Sequence, residues 1–448
     1  MNSEALKERY KIGKQSFTRD RKMGFSDIVL FNMNMVNKTM QKEINNYMKE
    51  VKNKQISYDK SAMSKARQKI SPSVYDDLNS KLIDEIYEDK ESVKLYHGLR
   101  ILGIDGTDIE LPNMGILKDK KQTEEIQAIY GRRSNNSGEL GVISKASLLY
   151  DLENNIVIDA ILNSYASSER AMAVEHIRAL KKYKKSHKEK YKDLIIFDRG
   201  YPSIGLISYM NQECIDYLMR IQSNTFKEIE EFKKSELNDT VLELKITKDR
   251  LYQITRREEY PLLTQFRETL EVGKSIKVRV LKVILDSGEI EVLITSLLDI
   301  QAYPYSLFKE LYFKRWGIEL KYNILKNVFK VENFTGLTQI AINQDFFATL
   351  FTSNICSLIM DAIMEDEVTL YNQTKQRKYL YQLNQSFSIS CMKNSLVSML
   401  LKYARVEKIY EMIQDEIMDN LLPIKPNRSF TRKKKFTSKF PVSKKDSL

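Results

Sequence analysis

Residues 141–164, GVISKASLLYDLENNIVIDAILNS, decide the fold. Two apolar runs of strand length flank Glu153-Asn154-Asn155, residue types that favour a tight turn, so the stretch predicts two strands joined there. The pattern then alternates. Residues 167–185, SSERAMAVEHIRALKKYKK, predict a helix opened by Ser168 and Glu169. Residues 193–203, DLIIFDRGYPS, predict an apolar strand ended by Arg199-Gly200. PSIGLISYMNQE (202–213) reads as a helix and IDYLMRIQS (215–223) as a further strand. Upstream, LRILGIDGT (99–107) is a short apolar run that ends in a turn. Strands followed by alternating helix and strand imply an α/β domain with a mixed sheet.

On the N-terminal side, residues 1–95 read as helical. FSDIVLFNMNMVNKTMQKEINNYMKEV (25–51) has apolar residues at three- and four-residue spacing and no strand alternation. SAMSKARQKI (61–70) predicts a second helix, ahead of the Ser-Pro of SPSVYDDL, and carries Lys65, Arg67 and Lys69. Its plain reading is a solvated basic face; its sharper reading is a helix lying on DNA. On the other side, residues 224–297 are rich in strand patterns: VLELKI, LYQITRREE and the hairpin IKVRVLKVILDSGEIEVLITSL, turning at Asp286-Ser287-Gly288. Helix returns from about Pro304 to near Val406, so this β-rich block looks inserted into the α/β domain. The expected organisation is a helical domain (1–95), which would be DNA-binding on the sharper reading of its basic helix, a first core segment (96–223), a β-rich insertion (224–297), a second core segment with C-terminal helices (298–410) and a basic tail (411–448).

Composition narrows the function classes. The 448 residues amount to roughly three domains' worth of chain. Hydrophobic residues at 42% exclude global disorder, and 15 Gly with 8 Pro exclude collagen-like chains. The net charge of +12 suits a polyanionic partner. Two thirds of it sits in Lys425–Leu448, which holds nine Lys/Arg and one Asp, a pattern of interaction tails. Cys214, Cys356 and Cys391 are too far apart for a metal knuckle or a disulfide framework, which points to a reducing compartment. With only His97, His176 and His187, a His-based zinc site or a Ser-His-Asp triad has few candidates, and no function is assigned to these histidines. The charged N-terminus lacks the apolar core of a signal peptide. The apolar region Phe346–Met364 is broken by Thr, Ser, Asn and Asp and reads as a buried helix rather than a span.

Chemistry therefore falls to carboxylates. Asp105 follows Ile101-Leu102-Gly103-Ile104, and Asp198 follows Leu194-Ile195-Ile196-Phe197. A charge at the end of a buried strand is costly unless paired or metal-bound, and strand carboxyl ends are where α/β sheets bind ligands. Either Asp alone reads equally as a turn former before Gly. A third element is LYFKRWGIELKYNILKN (311–327). At about 100° per residue, Tyr312, Arg315, Glu319 and Lys326 fall within an arc of roughly 60° on one helix. An i,i+4 pair of Arg315 and Glu319 accounts for two of the four. A carboxylate holding a cation, flanked by cations holding phosphates, accounts for all of them.

That stripe resembles the Y-(2)-R-(3)-E-(6)-K signature of bacterial insertion-sequence transposases of insertion sequence family four, relatives of the Tn-five transposase. Asp105-Gly106-Thr107 and the DRGYPS stretch from Asp198 look like the family's first and second aspartate motifs. They lie 93 residues apart, and Glu319 follows Asp198 by 121. The resemblance covers roughly residues 17–400. It implies an RNase H-like core split by a β insertion, with Asp105, Asp198 and Glu319 as a DDE triad. The triad would hold two Mg²⁺ ions, with Mn²⁺ as a substitute, for in-line displacement at phosphodiesters. Arg315 and Lys326 would hold transposon-end phosphates, and Tyr312 would contact the end near the cut. Arg199, Tyr201 and Arg220 are further DNA candidates, as are Arg132 and Arg133. Trp316 reads as core packing. In the insertion, Tyr252, Tyr260 or Phe266 would stack a flipped base. The expected partners are terminal inverted repeats, target DNA and a second copy of the chain, without a membrane, in the bacterial cytoplasm on the nucleoid. The rival readings are a transposase-derived DNA-binding protein without catalysis and another RNase H-like, structure-specific nuclease.

Overall fold

The computed structural model describes residues 4–34, 39–54, 57–89, 91–112, 120–134, 140–186, 191–222, 224–256, 270–285, 288–374, 376–401 and 405–426. They form two units, each built from separate stretches of chain. One comprises Met1–Lys81, Ile109–Ser144 and Asn323–Leu448; the other comprises Leu82–Asp108 and Lys145–Tyr322.

The second unit is organised by a mixed sheet. Its strands are β1 (Leu99–Glu110, up to Asp108), β3 (Leu140–Asp151, from Lys145), β4 (Ile156–Ser164), β5 (Lys192–Phe197), β6 (Asp216–Ile221), β7 (Asp239–Lys245), β8 (Ser275–Ile284) and β9 (Ile290–Thr295); β2 (Arg132–Ser134), paired with the start of β3, belongs to the first unit. The order is β4-β3-β1-β5-β6-β9-β8-β7. β1, β5 and β6 run parallel, while β9, β8 and β7 are added antiparallel. The central strands are buried on both faces, as continuous apolar runs such as Leu194–Phe197 require. The turn between β3 and β4 is where the sequence placed it. Asp151 Oδ1 accepts from the amides of Glu153 (3.1 Å) and Asn154 (3.0 Å), and Asn155 takes φ 57°. The helix Glu169–Ser186 and the helix Ile204–Gln212, whose Ser203 cap accepts from the Leu206 amide at 3.1 Å, also match expectation.

Three expectations for this unit change. First, β1 does not end in a turn at Asp105-Gly106-Thr107; it stays extended to Glu110, with Ile109 buried. The glycine there provides room rather than punctuation. Second, the block 224–297, expected as a β-rich insertion, adds its strands to the same sheet. β9 pairs β6 from Leu218↔Thr295 to Ile221↔Val292, so the block's strands continue the sheet. Buried Val278, Val280, Leu281, Leu293 and Ile294 have no core without it. Third, LYQITRREE starts as helix, not strand: Lys248–Arg256 is helical and buries Leu251 and Ile254 at i,i+3 spacing. The hairpin β8–β9 is present; its turn residues Asp286 and Ser287 lie outside the described residues, as do Tyr260, Phe266 and His187.

The first unit is helical. The helices Glu4–Tyr10, Phe25–Asn32, Met40–Asn46, Lys60–Arg67 and most of Ser73–Glu88 share it with Gln339–Ile363, Gln385–Leu401 and Val406–Met418. Residues 1–95 therefore do not stand apart as one domain, and the boundary at 411 cuts through the last of these helices, which is followed by the pairing of Leu422–Pro423 with Tyr381–Gln382. Arg67 ties the N-terminal helices to Gln339–Ile363. Its guanidinium donates to Gln344 Oε1 (2.9 Å), the Ala341 carbonyl (3.0 Å), Asp345 Oδ1 (2.6 Å) and the Thr335 hydroxyl, and Gln344 returns bonds to the carbonyls of Arg67 (2.9 Å) and Ile70 (2.7 Å). Gln339–Ile363 has the length and composition to cross a membrane, but its buried Gln344 and Asp345 are paired inside the unit, as suits a core helix.

Candidate active site

Strand register sets the first two carboxylates. β1 and β5 run parallel with Gly103 opposite Ile196, and β5 and β6 with Phe197 opposite Met219. Carried on by one or two residues, these registers place Asp105, Asp198 and Arg220 side by side on neighbouring strands, pointing to one face. On that same face Leu99, Ile101, Leu194, Ile196 and Leu218 pack against Phe308, Leu311 and Tyr312. The apolar layer thus gives way to carboxylates along the strands, one alternation after another.

Each carboxylate has distinct surroundings. Asp198 Oδ1 accepts from Arg220 Nε at 3.0 Å and Nη2 at 3.0 Å, and Arg220 Nη1 also bonds Glu291. The Tyr312 hydroxyl lies 3.4 Å from the same Asp198 oxygen. Asp105 Oδ1 accepts from the Gly106 amide at 2.9 Å, while its carbonyl accepts from the hydroxyls of Tyr322 (2.8 Å) and Ser147 (3.2 Å). Burial pushes the Asp105 carboxyl up to about 6; the Gly106 amide and Arg315 oppose this, and Glu169 and Asp198 add to it. Glu319 pairs with Arg315, Nη1 to Oε1 at 2.8 Å. The Arg315 charge also acts on Asp105 and Asp198, so this guanidinium links the third carboxylate to the first two.

The signature does not lie on one helix. Leu307–Phe313 and Trp316–Asn327 are separate, broken at Lys314-Arg315. The amides of Arg315, Gly317 and Ile318 reach back three residues, to the carbonyls of Tyr312, Lys314 and Arg315. A Cβ on Gly317 would lie 2.9 Å from Leu152 Cδ2, so the start of the second helix packs closely against the β3–β4 turn. Glu319 and Lys326 are on that helix; Tyr312 and Arg315 precede it. The 100° argument holds within the helix and fails across the break.

A hard divalent cation suits this donor set, which offers only oxygen. Among the described residues no three Asp, Glu, His or Cys side chains approach closely enough to hold a metal ion. Two of the carboxylates are neutralised by arginines instead, Asp198 by Arg220 and Glu319 by Arg315. The third, Asp105, is half-buried beside two like charges, and the hydroxyl of Tyr201, 1% exposed, has no hydrogen-bond partner while Asp105, Glu169 and Asp198 lie around it. An orphaned hydroxyl and a destabilised, half-buried carboxylate are features that a bound cation with its water would relieve.

The remaining candidates divide by burial. Arg199, Lys65 and Lys69 are exposed, as are Arg132 and Arg133 on β2. Arg67 is not a DNA-facing residue: it is 1% exposed and fully engaged. Tyr201 is likewise buried, its ring 5.1 Å from that of Phe197, so it supports the site from beneath. Tyr312, 7% exposed, belongs to the core and addresses Asp198 rather than solvent. Trp316, expected in the core, is half-exposed at the start of its helix, with the Arg315 guanidinium 5.2 Å from its ring. Tyr252 is exposed on Lys248–Arg256. His176 is buried and satisfied, Nδ1 2.7 Å from Asp159 and Nε2 3.0 Å from Ser147 Oγ. Sequence reasoning missed Glu169, Tyr322 and Ser147. Glu169 was legible only as a helix start, and the other two carried no signal.

Residues 96–355 match the transposase DDE domain family, more than half of the chain. The chain belongs to that family, whose members cleave and join DNA with the help of a metal ion. It is 24% identical over 363 residues to the transposase InsG of insertion sequence element IS4 from Escherichia coli strain K12, covering 78% of this chain and 71% of that one. It is also similar, at a TM-score of 0.36 and 10% identity, to the piggyBac transposase in a synaptic complex with hairpin DNA, over 92% and 81% of the two chains.

Proposed function

We infer that this DNA transposase excises an insertion sequence and inserts it elsewhere by a cut-and-paste route, with Asp105, Asp198 and Glu319 as its catalytic carboxylates. The observation that carries the reading is the register that sets Asp105 beside Asp198 on adjacent parallel strands, with Arg315 joining them to Glu319. The strand order β4-β3-β1-β5-β6, with β1, β5 and β6 parallel, supports an RNase H-like core.

Asp105, Asp198 and Glu319 would hold two divalent ions, Mg²⁺ by preference, and these supply Lewis acidity at the scissile phosphate. The chain's own groups do the rest. Arg220 and Tyr312 orient Asp198. Tyr322 and Ser147 fix the main chain at Asp105. Arg315, which pairs with Glu319, and Lys326 on the same helix as Glu319 would hold transposon-end phosphates, as the family signature implies. Exposed Lys65, Lys69 and Arg199 add phosphate contacts that give affinity without sequence reading. The partners are terminal inverted repeats, target DNA and a second protomer in the bacterial cytoplasm.

Cleavage of linear DNA carrying the element's own termini tests this, comparing wild type with Glu319→Gln in Mg²⁺ and in Mn²⁺. Wild type should cut, and the variant should bind without cutting. Termini bound by both and cut by neither, in either metal, would establish a DNA-binding protein without catalysis.

A further inference from the structure

Each aspartate motif contains a glycine, and the two glycines border the same carboxylate. A Cβ on Gly106 would lie 3.1 Å from Glu169 Cγ and 3.1 Å from its Oε1; a Cβ on Gly200 would lie 4.0 Å from its Oε2. Glu169 opens the helix Glu169–Ser186, and its carboxylate therefore stands between the turn after Asp198 and the strand at Asp105. An acidic residue in a first helical turn has an ordinary explanation in the helix dipole. That explanation does not account for the close approach of Gly106, where a side chain would crowd the carboxylate. Nor does it account for the buried, unpartnered Tyr201 hydroxyl, which has Glu169 and both aspartates as its acidic neighbours.

The cationic partner of Glu169 is loosely held. Lys145 Nζ is 3.5 Å from Oε1 and also lies 5.6 Å from the Tyr165 ring. Glu319, by contrast, is bound to Arg315 at 2.8 Å, and Asp198 to Arg220 at 3.0 Å. Of the carboxylates around Asp105, Glu169 is thus the one least committed to a guanidinium, and at 39% exposure it is open to an ion arriving from solvent. We propose that Glu169 is a fourth carboxylate of the cation site and binds a divalent ion together with Asp105. This rests on the catalytic assignment of Asp105 above.

The test is Mn²⁺ binding to the full-length protein without DNA, by calorimetry and by the electron paramagnetic resonance signal of free Mn²⁺. The variants are Glu169→Gln, Glu169→Asp and Asp105→Asn. Glu169→Gln should weaken Mn²⁺ at least about tenfold, about 1.4 kcal/mol, and Asp105→Asn should weaken it as much or more. Glu169→Asp, which keeps the charge on a shorter stem, should fall between Glu169→Gln and wild type. Wild-type affinity in Glu169→Gln, with loss in Asp105→Asn, overturns the inference alone and leaves Glu169 as a helix-terminal partner of Lys145. No binding by wild type, or no effect of Asp105→Asn, overturns the catalytic assignment as well. Should Glu169→Gln fail to fold, Fe²⁺-generated hydroxyl radicals decide on the wild-type chain. Backbone cleavage at Glu169 as well as at Asp105, suppressed by excess Mg²⁺, supports the inference. Cleavage at Asp105 without cleavage at Glu169 overturns it.

Discussion

Replacing Gly317 by alanine should move the helix that carries Glu319. The added Cβ would sit 2.9 Å from Leu152 Cδ2, closer than real carbon contacts, so either Leu152 leaves its rotamer or the helix shifts away from β1. Overpacking of this kind costs about 1–3 kcal/mol. The gain from replacing glycine near a helix start is smaller, at most about 1 kcal/mol. Taking the full gain, the net loss is at most about 2 kcal/mol, which lowers the melting temperature of a unit of this size by up to about 8 °C. Cleavage should fall further than stability suggests, because displacing a catalytic group by about 1 Å costs on the order of 10²-fold. The assay is a thermal melt with terminus cleavage, run in the wild-type and Leu152→Ala backgrounds. With Leu152 truncated the clash is gone, and Gly317→Ala should then raise the melting temperature and leave cleavage where Leu152→Ala alone puts it. If Gly317→Ala melts at or above wild type and cuts at full rate in the native background, the contact does not set the helix and the reasoning fails.

Two further outcomes follow from the burial of one arginine and the exposure of others. Arg67→Ala should destabilise the helical unit by about 3–5 kcal/mol, because Asp345 and Gln344 lose their partner; Arg67→Lys should recover only part, since an ammonium cannot span those acceptors. In both variants the folded fraction should bind termini as wild type does, as measured by melting and gel shift. Deleting residues 427–448 removes eight Lys/Arg and one Asp, and if that tail contacts phosphates the plot of log K against log salt becomes shallower; an unchanged slope would leave it a solubilising segment.

The sequence by itself determined the mixed α/β class of fold and the kinship with transposases. Apolar runs at Ile101–Ile104 and Leu194–Phe197 could only be buried strands, and the aspartates one step beyond them could only lie where such strands leave their core. Local turn chemistry at Asp151–Asn155 and the cap at Ser203 were readable for the same reason: each is satisfied within a few residues. What the sequence left open was every feature satisfied across the chain. Arg67 looks like its exposed neighbours Lys65 and Lys69 until Gln344 and Asp345, more than 270 residues away, close around it. Strands β8 and β9 are legible as a hairpin, but the edge of β6 that β9 pairs with is not. Tyr312 to Lys326 look like one helix, yet the chain breaks at Lys314-Arg315. Glu169 looks like a helix start until Gly106 and Gly200 come to either side of it. Helical periodicity, strand alternation and caps are short-range quantities; strand partners, buried ion pairs and the meeting of carboxylates depend on which distant segments fold together, and only the tertiary structure decides that.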